Sequence, residues 1–258
     1  MSHVMLSANL GFLWTDLLLT DRIRAAKAAG FDAVECHWPY GEEAALVKSA
    51  LEETGLSMLG LNTAKGLREG DVGLAAQVGR EVEARAAIDQ AFDYGQAIGA
   101  KAVHVMAGTL KGQDEEACAA VFAGNLAHAA DRAKAAGMIA LIEPLNPYDN
   151  PDYVLIGLDK AVSMIERVAR PELKIMFDCY HLQITGGDLL RRFRLVKDMV
   201  GHVQFAGVPD RGEPDRGEVA YDRLLPALHD AGWNGAFGAE YKPSGKTGDT
   251  LGWMTAFR

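Results

Sequence analysis

AKAAGMIALIEP, residues 133–144, packs a helix end, a stop and a buried strand into one short stretch. The alanine-rich half has helical periodicity, Gly137 supplies a left-handed stop, and the apolar run that follows ends on a carboxylate, Glu143, before a proline. The pattern repeats. AAKAAGFDAVE (25–35), LEETGLSML (51–59), AIGAKAVHV (97–105) and LHDAGWNGAF (228–237) carry the same helix, glycine and strand order. Apolar runs occur at 4–9, 32–36, 56–62, 101–108, 138–144, 173–178, 201–207 and 235–240, which gives eight predicted strands. Between them, helical periodicity covers 17–29, 42–53, 81–98, 115–136, 158–169, 189–199 and 221–231.

Strands apolar on both faces and alternating with helices form parallel βαβ units, and eight of them predict an α/β fold, a single (β/α)8 TIM barrel over residues 1–258. The 258 residues suit one such barrel, which takes about 250. A Rossmann fold would place GxGxxG after the first strand, and SANLGFLW (7–14) has none.

Hydrophobic residues make up 49% of the chain and charged residues 24%, the profile of a globular protein with a large core. The formal charge of −9 opposes binding to nucleic acid or to anionic lipid, while a small anionic substrate needs only a local basic site. Cys36, Cys118 and Cys179 are widely spaced, so the expectation is reduced thiols and a cytoplasmic location. No apolar window reaches about 18 residues, and the first residues lack a signal-peptide pattern. A homo-oligomer is compatible with the composition.

Barrel chemistry sits at the C-terminal ends of the strands. Those ends are Asn9, Glu35, Asn62, His104, Glu143, Asp178, Gln204 and Glu240, all polar. Glu143, Asp178, Gln204 and Glu240 close four consecutive strands, and neighbouring strands lie about 4.8 Å apart, so their side chains can converge. Three crowded carboxylates repel unless a cation neutralises them, whether a bound metal or separate Lys and Arg partners. An all-oxygen set suits a hard divalent ion, Mn2+ or Mg2+ foremost, with Co2+ or Zn2+ as further candidates.

SANLGFLW, GFDAVECHWPY (30–40), LNTAKG (61–66), HVMAG (104–108), LIEPLNPYD (141–149), FDCYHLQ (177–183), GHVQFAGVPDRGEPDRGEVAYDRL (201–224), GAEYKP (238–243) and LGWM (251–254) together resemble the hydroxypyruvate isomerase family. That family belongs to the xylose-isomerase-like barrels, and the resemblance runs through nearly the whole chain in order. It implies that Glu143, Asp178, Gln204 and Glu240 hold a divalent metal and that Glu143 and Glu240 form an acid/base pair. The implied reaction converts hydroxypyruvate to tartronate semialdehyde through an enediolate, with Glu240 as base; a metal-assisted hydride shift is the mechanistic rival.

Similar D-x-x-H elements in related barrels hold substrate oxygens, which makes His181 a substrate-binding candidate. Arg211 can grip a substrate carboxylate with its fork of donors. Lys242 can do the same or pair with Glu240, and Asn62 and His104 are further substrate candidates, His104 fitting a satisfied core histidine equally well. Glu218 reads as the cap of the following helix. His37, His128, His202 and His229 read as structural or exposed. Trp14, Trp38 and Tyr40 either wall the pocket or pack against loops.

LNTAKG, HVMAG, AGVPDRGEP and LGWMTAFR look more like the 2-oxo-tetronate isomerase branch, and IEPLNPYDNP more like hydroxypyruvate isomerase proper. One carbon in a pocket is worth only about 1–3 kcal/mol, so both activities remain open. A barrel endonuclease would need more strand-end histidines and a basic face. A non-catalytic sugar-acid binding protein is opposed by the presence of both Glu143 and Glu240.

Overall fold

The computed structural model describes residues 4–257; the first three residues and Arg258, which enter the readings of the amino terminus and of LGWMTAFR, lie outside them. Nine parallel strands run in the order β3-β2-β1-β9-β8-β7-β6-β5-β4. They are β1 Leu6–Asn9, β2 Ala33–Glu35, β3 Ser57–Met58, β4 Gly60–Asn62, β5 Ala102–His104, β6 Ile139–Ile142, β7 Leu173–Asp178, β8 Val200–Phe205 and β9 Phe237–Ala239. The ninth strand arises because the third predicted run is split at Leu59. Its first part pairs with β2 and its second with β5, so one segment bridges the two sheet ends. Backbone bonds from Leu59 to Val34 (2.7 Å), Asn62 to His37 (2.8 Å) and Lys101 to Met58 (3.1 Å) complete a nearly closed (β/α)8 barrel.

The helices α1 Leu19–Ala29, α2 Ala44–Thr54, α3 Glu81–Ile98 and α4 Glu115–Ala136 each end on a left-handed glycine: Gly30, Gly55, Gly99 and Gly137. Only glycine adopts that conformation without a Cβ penalty, which is why the stop was legible. Helices α5 Leu158–Val168, α7 Leu189–Val196 and α8 Tyr221–Asp230 also fall where periodicity places them. Helix α6, Cys179–Thr185, was not anticipated. It begins on the residue after β7, and Asp178 serves both as last strand residue and as cap, accepting the Tyr180 N–H at 2.8 Å. Among the described residues no helix is long and apolar enough to cross a membrane, and all three cysteines are free and buried.

Period-two alternation positions the site. Val103, Ile142, Phe177, Val203 and Phe205 face outward into the apolar layer under the helices. Their neighbours Ala102, Leu141 and Met176 form a separate small cluster, and one step further along the same face stand His104, Glu143 and Asp178.

Candidate active site

The strand ends carry two glutamates in different settings. Glu240 follows β9 and is fully partnered. Its Oε1 accepts from Asn9 Nδ2 and His37 Nε2, both at 2.8 Å, and its Oε2 accepts from Arg211. Arg211 sits in the β8–α8 loop at φ 56°, a left-handed conformation costly for a side-chain-bearing residue, with its guanidinium between the rings of Phe12 (5.0 Å) and Tyr180 (5.1 Å). Burial works to raise the Glu240 pKa, but Arg211 and His37 outweigh it, so the carboxyl is held below its ordinary range and stays ionised.

Glu143 lies on the opposite side of the mouth, just past β6. Burial comes first, and the charges of Glu240 and Asp178 add to it; together they push Glu143 well above the usual carboxylate range despite Arg211. Asp178 is likewise pushed up, to about 7, by burial, with Arg211 opposing. Three buried oxygens here accept no hydrogen bond among the described residues, Glu143 Oε1, Asp178 Oδ2 and Gln204 Oε1, although Arg211 Nη2 lies 3.7 Å from Asp178 Oδ2. Asp178 and Gln204 are register partners across β7 and β8. Buried acceptors without a hydrogen bond cost free energy, so three together suit a cation or a further donor.

His181, on α6, has Nε2 at 3.7 Å from Glu143 Oε1 and 3.6 Å from Asp178 Oδ2, and the three residues form a compact group able to hold a metal. Its Nδ1 accepts the Asn146 backbone N–H (3.1 Å) and lies 2.8 Å from Asn146 Nδ2, also a donor. Burial first, then Arg211, lowers its pKa to about 3, so the ring is neutral. A neutral imidazole accepting at Nδ1 carries its proton on Nε2. His181 therefore presents a donor to the site. The oxygens at the mouth that accept no hydrogen bond belong to Glu143, Asp178 and Gln204.

His104 is buried with Nδ1 at 3.7 Å from Glu143 Oε2, and burial lowers its pKa to about 4. Its Nε2 has no hydrogen-bond partner among the described residues, unlike a satisfied core histidine. Asn62 is half-buried, its backbone N–H bonded to His37 and its carbonyl to the Tyr40 hydroxyl.

Several expectations are corrected. Lys242 is exposed beside a surface cleft with Glu213 and Ser244, and Arg211 rather than Lys242 pairs with Glu240. Glu218 does not cap α8; it accepts from Gln183 Nε2 at 3.0 Å. His37 reaches the barrel mouth and bonds Glu240, whereas His202 is structural as expected, buried with Nε2 2.6 Å from Glu35. Trp38 stacks near His37 (5.1 Å) with Lys65 over its face, whereas Trp14 packs on Phe31 and Tyr40 on Tyr94. Phe12 was missed because it follows the strand in a loop without periodicity; Gly11 lets that loop pass, since a Cβ there would lie 2.2 Å from the His37 ring.

The profile of the xylose isomerase-like TIM barrel family matches residues 23–257. A 2-oxo-tetronate isomerase of Cupriavidus necator is 40% identical over 253 residues, 97% of each chain. A putative hydroxypyruvate isomerase of Homo sapiens is 38% identical over 266 residues, covering 100% of this chain and 96% of the relative. Among solved structures, one described as an AP endonuclease, family 2, from Brucella melitensis superposes with a TM-score of 0.95 at 37% identity over 99% of each chain.

Proposed function

Since this chain belongs to the xylose isomerase-like TIM barrel family and is an isomerase, we propose that it moves the carbonyl of a small hydroxy-oxo acid to the neighbouring carbon, hydroxypyruvate to tartronate semialdehyde being the first candidate. The observation that carries this reading is the pair of buried glutamates with opposite pKa shifts, Glu143 itself supplying one of three buried oxygens that accept no hydrogen bond. Paired titratable groups pushed apart in this way divide into a proton acceptor and a proton donor.

Glu143, Asp178 and Gln204 would hold a divalent ion, with Glu240 joining them only by giving up hydrogen bonds it now makes. When bound, the ion supplies fixed positive charge beside the reacting carbons, which acidifies the C–H and balances the charge of the enediolate. Glu240 takes the proton from C3 of hydroxypyruvate. Glu143 would help hold the ion and, as the more readily protonated of the two glutamates, would return a proton to C2. His181 Nε2–H donates to a substrate oxygen. Arg211 moves from Glu240 to the substrate carboxylate, which raises the basicity of Glu240 only once substrate is present.

The same chemistry fits 2-oxo-tetronate going to 3-oxo-tetronate, and relatives of both names match at 40% and 38% identity. A phosphodiester hydrolase is the reading suggested by the Brucella structure's description. Against it stand the net charge of −9 and the enclosure of the site, with Glu143 only 7% and Asp178 and His181 only 1% exposed. Such a site suits a small molecule rather than a duplex.

The test is steady-state turnover of hydroxypyruvate and 2-oxo-tetronate side by side, on protein stripped with chelator and resupplied with Mn2+ or Mg2+. Metal-dependent conversion of at least one acid supports the reading, and the larger kcat/KM names the substrate. Conversion of neither with any metal contradicts it.

A further inference from the structure

Beneath the proposed metal site lies a buried carboxylate with no evident reason to be there: Glu35, at the end of β2, 3% exposed. It collects four donors. Its Oε2 accepts from Ser7 Oγ (3.3 Å) and His202 Nε2 (2.6 Å); its Oε1 accepts from Asn9 Nδ2 (3.1 Å) and Gln204 Nε2 (2.6 Å). Gly238 on β9 keeps the space for it, since a Cβ there would lie 2.5 Å from Glu35 Oε2. So placed a carboxylate costs several kcal/mol to desolvate, and a neutral acceptor would serve a purely packing role at less cost.

What the charge does is fix amide directions. An ionised carboxylate only accepts hydrogen bonds, so the side-chain amide of Gln204 must turn its NH2 toward Glu35 and its oxygen the other way. That oxygen is one of the three at the mouth that accept no hydrogen bond. A neutral side chain that both donates and accepts would permit either orientation.

We propose that Glu35 is a positioning residue that orients the Gln204 amide oxygen toward the divalent ion. The inference rests on the metal-dependent reading above and extends it by one layer of side chains. Partners of this kind behind a ligand typically change metal affinity by about 10–100-fold when removed.

The experiment measures Mn2+ dissociation constants on chelator-stripped protein, without substrate, for the wild type, Glu35→Gln, Gln204→Ala, the double variant and Ser7→Ala. Glu35→Gln should weaken Mn2+ binding about 10-fold or more. In the Gln204→Ala background the same change should add little, because the amide through which Glu35 acts is gone. Ser7→Ala removes a different Glu35 partner and should stay near the wild-type value. Glu35→Asp keeps a charge for His202 but draws it back from Gln204, and carries the same test if Glu35→Gln fails to fold. Unchanged affinity in a folded Glu35 variant, or an undiminished effect in the double variant, overturns the proposal while leaving the metal site standing. A wild-type protein that binds no Mn2+ removes the metal reading and this inference with it.

Discussion

Glu143 and Glu240 carry the same side chain just past the ends of two barrel strands, yet the chain treats them oppositely. Glu240 is gripped by Asn9, His37 and Arg211 and held ionised; Glu143 has an oxygen that accepts no hydrogen bond and is driven toward its protonated form by burial and by its fellow carboxylates. The difference comes from the neighbours. A strand end fixes where a carboxylate stands, and the loops and adjacent strands decide what it can do.

That contrast can be broken by substitution. The largest effect is expected from Glu240→Gln and Glu143→Gln, each lowering kcat by about 10²–10⁴-fold, the range for a lost general acid or base, with far-ultraviolet circular dichroism unchanged. Mn2+ affinity should separate the two, falling sharply for Glu143→Gln and much less for Glu240→Gln. The reverse order would mean that the ligand and base assignments are exchanged.

Arg211→Lys keeps the charge but loses the fork and the stacking between Phe12 and Tyr180. KM should rise about 10-fold or more, each tenfold corresponding to about 1.4 kcal/mol of lost binding. An unchanged KM would detach Arg211 from the substrate.

The pH dependence of metal binding follows from Asp178. Its pKa is raised to about 7 in the metal-free protein, so below that value the group is protonated and must lose its proton to bind a cation. Mn2+ affinity should therefore climb as pH rises through about 7, and the raised Glu143 carboxyl, also a ligand, should add to the climb. His104 and His181 are already neutral over that interval and add no protons of their own. Calorimetry in buffers of different ionisation enthalpy checks it by counting released protons. The smallest effect is expected from Lys242→Ala, whose side chain is exposed: kcat/KM should stay within about twofold, as for surface changes of less than about 0.5 kcal/mol.

Much of this was legible in the chain because it rests on local rules. The glycine stops and the period-two alternation locate the strands, and the alternation also points Glu143, Asp178 and Gln204 inward. What stayed hidden depends on where loops travel. His37 sits two residues past β2, where alternation no longer constrains direction, yet the loop folds it onto Glu240. Helix α6 starts without a turn residue between it and β7, so no punctuation announces it. The partition of 56–62 between two neighbours is a closure effect, which no local window contains. Lys242 shows the opposite error: proximity in sequence to Glu240 did not survive the turn of the chain after β9.

The central claim is that two glutamates, one on each side of the mouth, move protons. Turnover of hydroxypyruvate in D2O, with the aldehyde product captured by reduction at early times, tests it most directly. Because the proton taken by Glu240 is not the one delivered by Glu143, the product should carry solvent deuterium at C2. A product that retains the original hydrogen at C2, moved from C3 without exchange, would contradict the two-glutamate account and leave a hydride shift or a single base that returns the same proton.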